Sequence, residues 1–263
     1  MQEIRGLILD MDGVLWRGKE PLLNLQEFFS QMEMLGIQVV LATNNATKSV
    51  SQYLEKLSRY GVTLHPEQIV NSAMSAAYYL KKQFPDGGPV FVVGEQGLID
   101  TLQEAGFYPA EENVLAVVAG LDRTLTYPKL SRACQLIRDG ALFIGTNPDK
   151  SFPSPQGLTP GAGAVLAFLE TGSDVKPIIT GKPQPFLFEL ALRRMGLEPS
   201  VVLTVGDRLD TDILGAQNAG CATAAVLTGV STLEEIQQWT PPVDLILENL
   251  SDLIPLLKEG FEK

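Results

Sequence analysis

Residues 6–18 read GLILDMDGVLWRG and place a short apolar segment directly before two carboxylates. The apolar segment has the pattern of a buried strand, which we predict over residues 5–9. Asp10 and Asp12 follow the strand, and Gly13 lets the chain turn. Two acids contribute little to packing at the end of a buried strand, whereas they can bind a ligand at the edge of a sheet. We therefore expect the fold to be organised around this stretch.

The composition is that of a globular chain whose partners are neither nucleic acids nor membranes. The 263 residues are 45% hydrophobic and 19% charged, which suits one large domain or two ordinary ones. The net charge of -11 disfavours anionic polymers and membrane surfaces. Two cysteines without a motif, Cys134 and Cys221, favour a reducing compartment. No segment has the pattern of a signal peptide or a membrane span, so we expect a cytoplasmic protein.

Predicted strands and helices alternate along the chain, which indicates parallel βαβ units. The sequence PDGGP at residues 85–89 is a linker signal, after which a second alternation begins. The sequence therefore predicts a doubly wound parallel-sheet, Rossmann-like α/β core formed by residues 1–84 and 179–263. Residues 85–178 are predicted to form an inserted, smaller α/β domain. Within it, residues 147–160 are rich in Pro, Gly, Ser and Asp and predict a loop. Residues 211–219 predict a helix.

Polar groups follow several of the predicted strands at the point where each strand ends. Because the carboxyl ends of parallel strands share one edge of a sheet, these groups can converge on one ligand. The clusters are Asp10-Met11-Asp12, Thr43-Asn44-Asn45, Gly181-Lys182-Pro183 and Gly206-Asp207.

The chemistry of these clusters suits phosphoryl transfer. A carboxylate can attack phosphorus, and a cation such as Mg²⁺ is then needed between it and the phosphate. Asp10 and Asp207 can supply carboxylates to that cation, while Lys182 and Thr43 supply a positive charge and a donor for the phosphate. Asp12 is left as the general acid and base.

The residues resemble the haloacid-dehalogenase superfamily of phosphohydrolases. The superfamily's motifs occur in order as DMDGVL at 10–15, TNN at 43–45, KP at 182–183 and GDRLDTDI at 206–213. The last string is similar to the branch that contains nitrophenyl-phosphatase-like and ribonucleotide-monophosphatase-like enzymes. That branch carries an α/β cap between its second and third motifs, where this chain has its insertion. The resemblance covers nearly the whole chain.

The resemblance implies a role for each matching residue. Asp10 is the nucleophile and Asp12 the acid and base, while Mg²⁺ is held by Asp10, the backbone carbonyl of Asp12 and Asp207. Asp212 supports the metal. Asp210 lies at a predicted helix start, where the helix dipole favours an acid, so capping explains Asp210 at least as well as a role at the metal. The expected phosphate-binding residues are Thr43, Asn44, Asn45 and Lys182. For Asn45, a purely structural role in a turn is an equal alternative. The expected substrate-facing cap residues are Asn147, Asp149 and Phe152, the last at the position of a histidine in members that hydrolyse pyridoxal phosphate.

The sequence predicts a Mg²⁺-dependent phosphomonoesterase that acts on a small phosphorylated metabolite through an aspartyl phosphate. Nitrophenyl phosphate is the expected artificial substrate. One alternative is a phosphotransferase or mutase on the same core, and another is a non-catalytic binding module. The intact set of Asp10, Asp12, Lys182 and Asp207 argues against the binding module. The cap offers surface for a homodimer, and the sequence leaves the oligomeric state and the physiological substrate open.

Overall fold

The computed structural model describes residues 3–154 and 157–259, without the side chains of residues 152–154. The strands in these ranges are β1 Gly6–Leu9, β2 Trp16–Arg17, β3 Glu20–Pro21, β4 Gln38–Thr43, β5 Ile69–Asn71, β6 Gly88–Val93, β7 Phe107–Pro109, β8 Ala116–Ala119, β9 Leu142–Gly145, β10 Ser151–Ser154, β11 Gly157–Pro160, β12 Ile178–Ile179, β13 Val202–Gly206, β14 Ala222–Val226 and β15 Leu245–Leu247. The α-helices are α1 Leu25–Met34, α2 Val50–Ser58, α3 Ser72–Gln83, α4 Gln96–Glu104, α5 Tyr127–Arg138, α6 Ala162–Ser173, α7 Phe186–Met195, α8 Leu214–Asn218, α9 Leu233–Gln238 and α10 Leu253–Glu259.

The chain divides into two compact units. The first comprises Met1–Thr43, Val50–Val70 and Pro183–Lys263, and the second comprises Asn44–Ser49 and Asn71–Lys182. The second unit thus begins before the linker signal at 85–89, because α3 buries Ala73, Ala76 and Leu80 in the same core as the strands that follow it.

The first unit contains a six-stranded sheet in the order β15-β14-β13-β1-β4-β5. Strand β1 lies between β13 and β4 and is parallel to both. Alternate residues of β1 enter different cores: Leu7 and Leu9 pack with α1, α2 and α10, whereas Ile8 packs with α7 and α8. Helices on both faces of a parallel sheet confirm the predicted doubly wound architecture.

The second unit repeats this arrangement on a smaller scale. Its five-stranded sheet has the order β12-β9-β8-β6-β7, and every neighbouring pair is parallel. Val92 and Val118 pack with α3 and α4 on one face, whereas Phe91 and Val117 pack with α5 and α6 on the other. This unit is therefore the predicted second α/β structure.

The structure corrects the predicted loop at residues 147–160. Ser151–Ser154 and Gly157–Pro160 pair as an antiparallel two-stranded hairpin, with Phe152 opposite Thr159. Pro153 and Pro160 lack a donor N–H and are uncommon in strands, so the sequence of both segments predicts a loop. A two-stranded ribbon tolerates them because each strand has an unpaired edge.

The predicted helix over 211–219 is α-helical only from residue 214. A π-helix at Leu209–Ile213 comes first, and α8 follows it. The N–H of Ile213 donates to the carbonyl of Arg208 at 3.2 Å, which is the wide spacing of a π-turn. Such turns are often found at functional sites.

No helix within residues 3–154 and 157–259 combines the length and the apolar character that crossing a membrane requires.

Candidate active site

Three carboxylates meet at the carboxyl edge of the first sheet. Asp10 follows β1, Asp207 follows β13, and Asp212 lies in the π-helix after β13. One carboxylate oxygen from each lies within 4.8 Å of the others. Because β1 and β13 are parallel neighbours, their carboxyl ends bring Asp10 and Asp207 together as the sequence predicted.

Asp207 is fixed by close backbone contacts. Its Oδ2 accepts a hydrogen bond from the N–H of Val230 at 2.9 Å, and it is only 4% exposed. A Cβ at Gly13 would lie 2.4 Å from this oxygen, and a Cβ at Gly229 would lie 1.9 Å from it. Gly13 also has a φ of +89°, which favours glycine. Both glycines therefore make room for the Asp207 carboxylate.

The structure distinguishes between Asp210 and Asp212. Asp212 is 3% exposed, and its Oδ2 accepts a hydrogen bond from the N–H of Arg208 at 3.1 Å. The side chain of Asp210 is 69% exposed and pairs with Arg208 at 3.4 Å. Asp212 belongs to the group of three carboxylates, and Asp210 does not.

This group fits a divalent cation. Asp207 and Asp212 are buried, so negative charge is concentrated where water screens it poorly. A hard cation with oxygen ligands would neutralise that charge, and clustered carboxylates are the ligands it prefers.

Asp12 lies two residues after Asp10, on the turn between β1 and β2. Its backbone forms an isolated bridge with Trp16, and the N–H of Gly13 donates to the Trp16 carbonyl at 2.8 Å. The Asp12 side chain is exposed, so it can exchange protons with solvent.

Sequence reasoning missed Tyr53, which lies on the buried face of α2. Burial raises the pKa of its phenol, the charges of Asp12 and Asp10 raise that pKa further, and the side chain of Thr43 lowers it. Thr43 ends β4 and is itself buried. In the sequence Tyr53 has the spacing of an ordinary core residue, so no local signal identifies it.

The side chain of Asn44 pairs with the backbone of Lys182 in the second unit. Asn44 Nδ2 donates to the Lys182 carbonyl at 3.1 Å, and the Lys182 N–H donates to Asn44 Oδ1 at 2.8 Å. The carbonyl of Asn44 accepts from Asn147 Nδ2 at 2.8 Å and from Ser72 Oγ at 2.5 Å. The amide of Asn44 thus holds the segment that carries the buried Lys182.

The remaining predicted residues mainly shape loops of the second unit. Asn45 Oδ1 accepts hydrogen bonds from the N–H and the hydroxyl of Thr47, at 2.9 and 2.7 Å, which is the geometry of an Asx turn. Asn147 Oδ1 accepts from the N–H of Asp149 at 3.1 Å. Phe152 lies in β10, and its side chain is outside the described part of the chain.

Two family models match the chain, one in its N-terminal part and one in its C-terminal part. The first, haloacid dehalogenase-like hydrolase, matches residues 7–108. The second, HAD-hydrolase-like, matches residues 179–253.

The chain is also similar over nearly its full length to known proteins. An acid sugar phosphatase of Staphylococcus aureus is 38% identical over 260 residues, which is 98% of this chain and 100% of that protein. The structure of NagD from Escherichia coli K-12 matches with a TM-score of 0.87 and 33% identity over 94% of this chain and 96% of that one. A 4-nitrophenylphosphatase from Thermotoga maritima matches with a TM-score of 0.91 and 33% identity over 97% and 98%.

Fold and site together define an enzyme that is built on a doubly wound α/β sheet and carries an acidic centre at the carboxyl edge of that sheet. More narrowly, the chain belongs to the haloacid dehalogenase-like hydrolases, in the branch that includes NagD and the nitrophenyl phosphatases.

Proposed function

We propose that this enzyme is a Mg²⁺-dependent phosphomonoesterase that releases inorganic phosphate from a small phosphorylated metabolite. The observation that carries the proposal is the group Asp10, Asp207 and Asp212, whose carboxylates lie within 4.8 Å of one another. The names of the relatives, a sugar phosphatase and nitrophenyl phosphatases, support phosphate esters as the substrate class.

Asp10 is the proposed nucleophile. Its carboxylate oxygen forms a bond to phosphorus while the bond from phosphorus to the ester oxygen breaks. Asp12 gives its proton to the departing oxygen, so an alcohol leaves. Asp12 then takes a proton from water, whose oxygen attacks phosphorus, and the Asp10 carboxylate is restored as phosphate departs.

The proposed Mg²⁺ ligands are the carboxylates of Asp10 and Asp207 and the backbone carbonyl of Asp12, with Asp212 supporting them. When bound, the ion would offset the negative charge of the phosphoryl group, which otherwise repels a carboxylate nucleophile.

Donors from two segments are proposed to bind the phosphoryl oxygens: the Thr43 hydroxyl with the following Asn44 and Asn45, and the Lys182 ammonium. The hydrogen bonds of the Asn44 side chain support an indirect role, in which it holds the Lys182 backbone. We propose that the second unit is the cap that selects the substrate, through loops that include Asn147, Asp149 and Phe152.

A panel of phosphate esters with Mg²⁺ tests this function. Phosphate release is measured from nucleotides, sugar phosphates, phosphoglycolate, pyridoxal phosphate and nitrophenyl phosphate. We expect turnover of nitrophenyl phosphate and at least one sugar phosphate, and loss of turnover in excess chelator. Full activity in chelator would remove the metal from the mechanism, and transfer of phosphate to an added alcohol without phosphate release would identify a phosphotransferase.

A further inference from the structure

A short hairpin in the first unit is held tightly against α2. The hairpin consists of β2 and β3, and its Trp16 side chain is only 1% exposed. Lys56 projects from α2 with its Nζ 3.5 Å from the centroid of the Trp16 ring, a cation–π contact. The same Nζ donates a hydrogen bond to the carbonyl of Gly18 at 2.9 Å. Lys56 therefore binds both the side chain and the turn of the hairpin.

Two further contacts fix this hairpin. Beyond the end of α2, the Tyr60 hydroxyl donates to the carbonyl of Lys19 at 2.5 Å. From the hairpin itself, Arg17 donates to the carbonyl of Thr228 at 2.7 Å. The hairpin is thus tied to α2 through Lys56, to the segment after α2 through Tyr60, and to the loop after β14 through Arg17.

The hairpin formed by β2 and β3 contacts the backbone of the turn that carries Asp12. The Asp12 backbone bridges to Trp16, and the N–H of Gly13 donates to the Trp16 carbonyl. The Thr228 hydroxyl donates to the carbonyl of Gly13 at 2.5 Å. Because the Asp12 side chain is exposed, its direction depends on this backbone rather than on surrounding packing.

We infer that Lys56 is a positioning residue for the proton-transfer step. Its contacts with Trp16 and Gly18 keep the Asp12 carboxyl where it can protonate the departing oxygen. The inference rests on the proposed role of Asp12, and Lys56 lies outside every segment that the sequence singled out.

A pair of aryl phosphates separates this role from a general structural one. Phenol has a pKa near 10, like the tyrosine side chain, so phenolate needs a proton to leave well. Nitrophenolate is a much weaker base and leaves without one. The value of kcat/KM reports the steps through departure of the leaving group, so it isolates the acid role of Asp12.

The test compares Lys56→Met with Arg59→Met, measuring kcat/KM for phenyl phosphate and 4-nitrophenyl phosphate with Mg²⁺. Met preserves much of the aliphatic length and removes the charge. Arg59 is an exposed cation three residues away that pairs with Glu55. For Lys56→Met we expect about a tenfold loss with phenyl phosphate and less than about a twofold loss with the nitrophenyl ester. Arg59→Met should leave both values unchanged.

Asp12→Asn provides the reference. We expect it to lose kcat/KM selectively with phenyl phosphate, as Lys56→Met does, but by a larger factor. If Lys56→Met lost kcat/KM equally on both esters while Asp12→Asn showed a selective loss, the inference about Lys56 would be overturned and the acid role of Asp12 would stand. Equal losses in Asp12→Asn would overturn the acid role itself, and the inference with it. If Lys56→Met does not fold, Tyr60→Phe removes only the hydroxyl bond to the hairpin. It should shift the ratio in the same direction by a smaller factor, and an unchanged ratio would count against the inference.

Discussion

Asp207 illustrates how a single carboxylate can depend on residues far from it in sequence. Gly13 and Gly229 leave space for it, and the Val230 N–H binds it. Asp212 is also buried and belongs to the same group of carboxylates, and placing carboxylates in a protein interior is costly unless cations or hydrogen bonds offset their charge. A bound cation should therefore stabilise the fold as well as serve the reaction.

This leads to a prediction about thermal unfolding with and without Mg²⁺. A ligand at 100 times its Kd stabilises a folded protein by about 2.7 kcal/mol, so Mg²⁺ should raise the Tm of the native enzyme. Asp207→Asn should abolish most of that shift. Asp210→Asn should retain it, because Asp210 is exposed and lies outside the group of carboxylates. Equal Mg²⁺-dependent shifts in all three proteins would contradict this metal site.

At the residue scale, strand ends made Asp10 and Asp207 predictable. An apolar run followed by an acid is visible locally, and parallel pairing brings two such ends together. The resemblance favoured Asp212, whereas the residue pattern alone did not separate Asp212 from Asp210, because both lie in the segment that forms the π-helix. Tyr53 and Lys56 were missed since their spacing on α2 is that of an ordinary amphipathic helix.

At the scale of elements, α7 is joined to the edge of the first sheet by Arg194. Its guanidinium Nη1 donates to the carbonyls of Glu67 and Ile69, at 3.1 and 2.6 Å. Burial lowers the pKa of Arg194, and the nearby Glu67 charge raises it. The strand β5, which begins at Ile69, is short and lies at the edge of the sheet, so this contact should contribute to its stability.

Replacing Arg194 should therefore destabilise the fold. Arg194→Met leaves two backbone carbonyls without these donors, at a cost of about 1–3 kcal/mol in the free energy of unfolding. Arg193→Met is the matched control, because Arg193 is exposed and surface changes usually stay within about 0.5 kcal/mol. Urea unfolding measures both, and the same midpoint for the two variants would show that the Arg194 contact contributes nothing.

The elements that precede the predicted motifs were predictable because they are long or strongly apolar. Strand β1, predicted over residues 5–9, is observed at Gly6–Leu9. Short edge strands such as β5 and β7 carry too few residues for a periodic signal. The β10–β11 hairpin was hidden by its prolines.

At the scale of the whole molecule, the alternation of strands and helices predicted a doubly wound α/β core and a smaller inserted α/β domain, and both structures are present. The extent of each was harder to predict. Helix α3 follows the first unit without a break in composition, so its membership of the second unit depends on which core accepts Ala73, Ala76 and Leu80. Fold class follows from local pattern, whereas the division of the chain follows from packing.

The reaction proposed for the molecule depends most directly on Asp10. The decisive measurement is phosphate release from 4-nitrophenyl phosphate with saturating Mg²⁺ by Asp10→Asn, compared with the native enzyme and Asp210→Asn. Circular dichroism would verify that all three proteins share one fold. We predict that Asp10→Asn loses at least about a thousandfold in kcat, because no carboxylate remains to attack phosphorus, while Asp210→Asn stays near native activity. Near-native turnover by a correctly folded Asp10→Asn would contradict the assignment of Asp10 as the nucleophile.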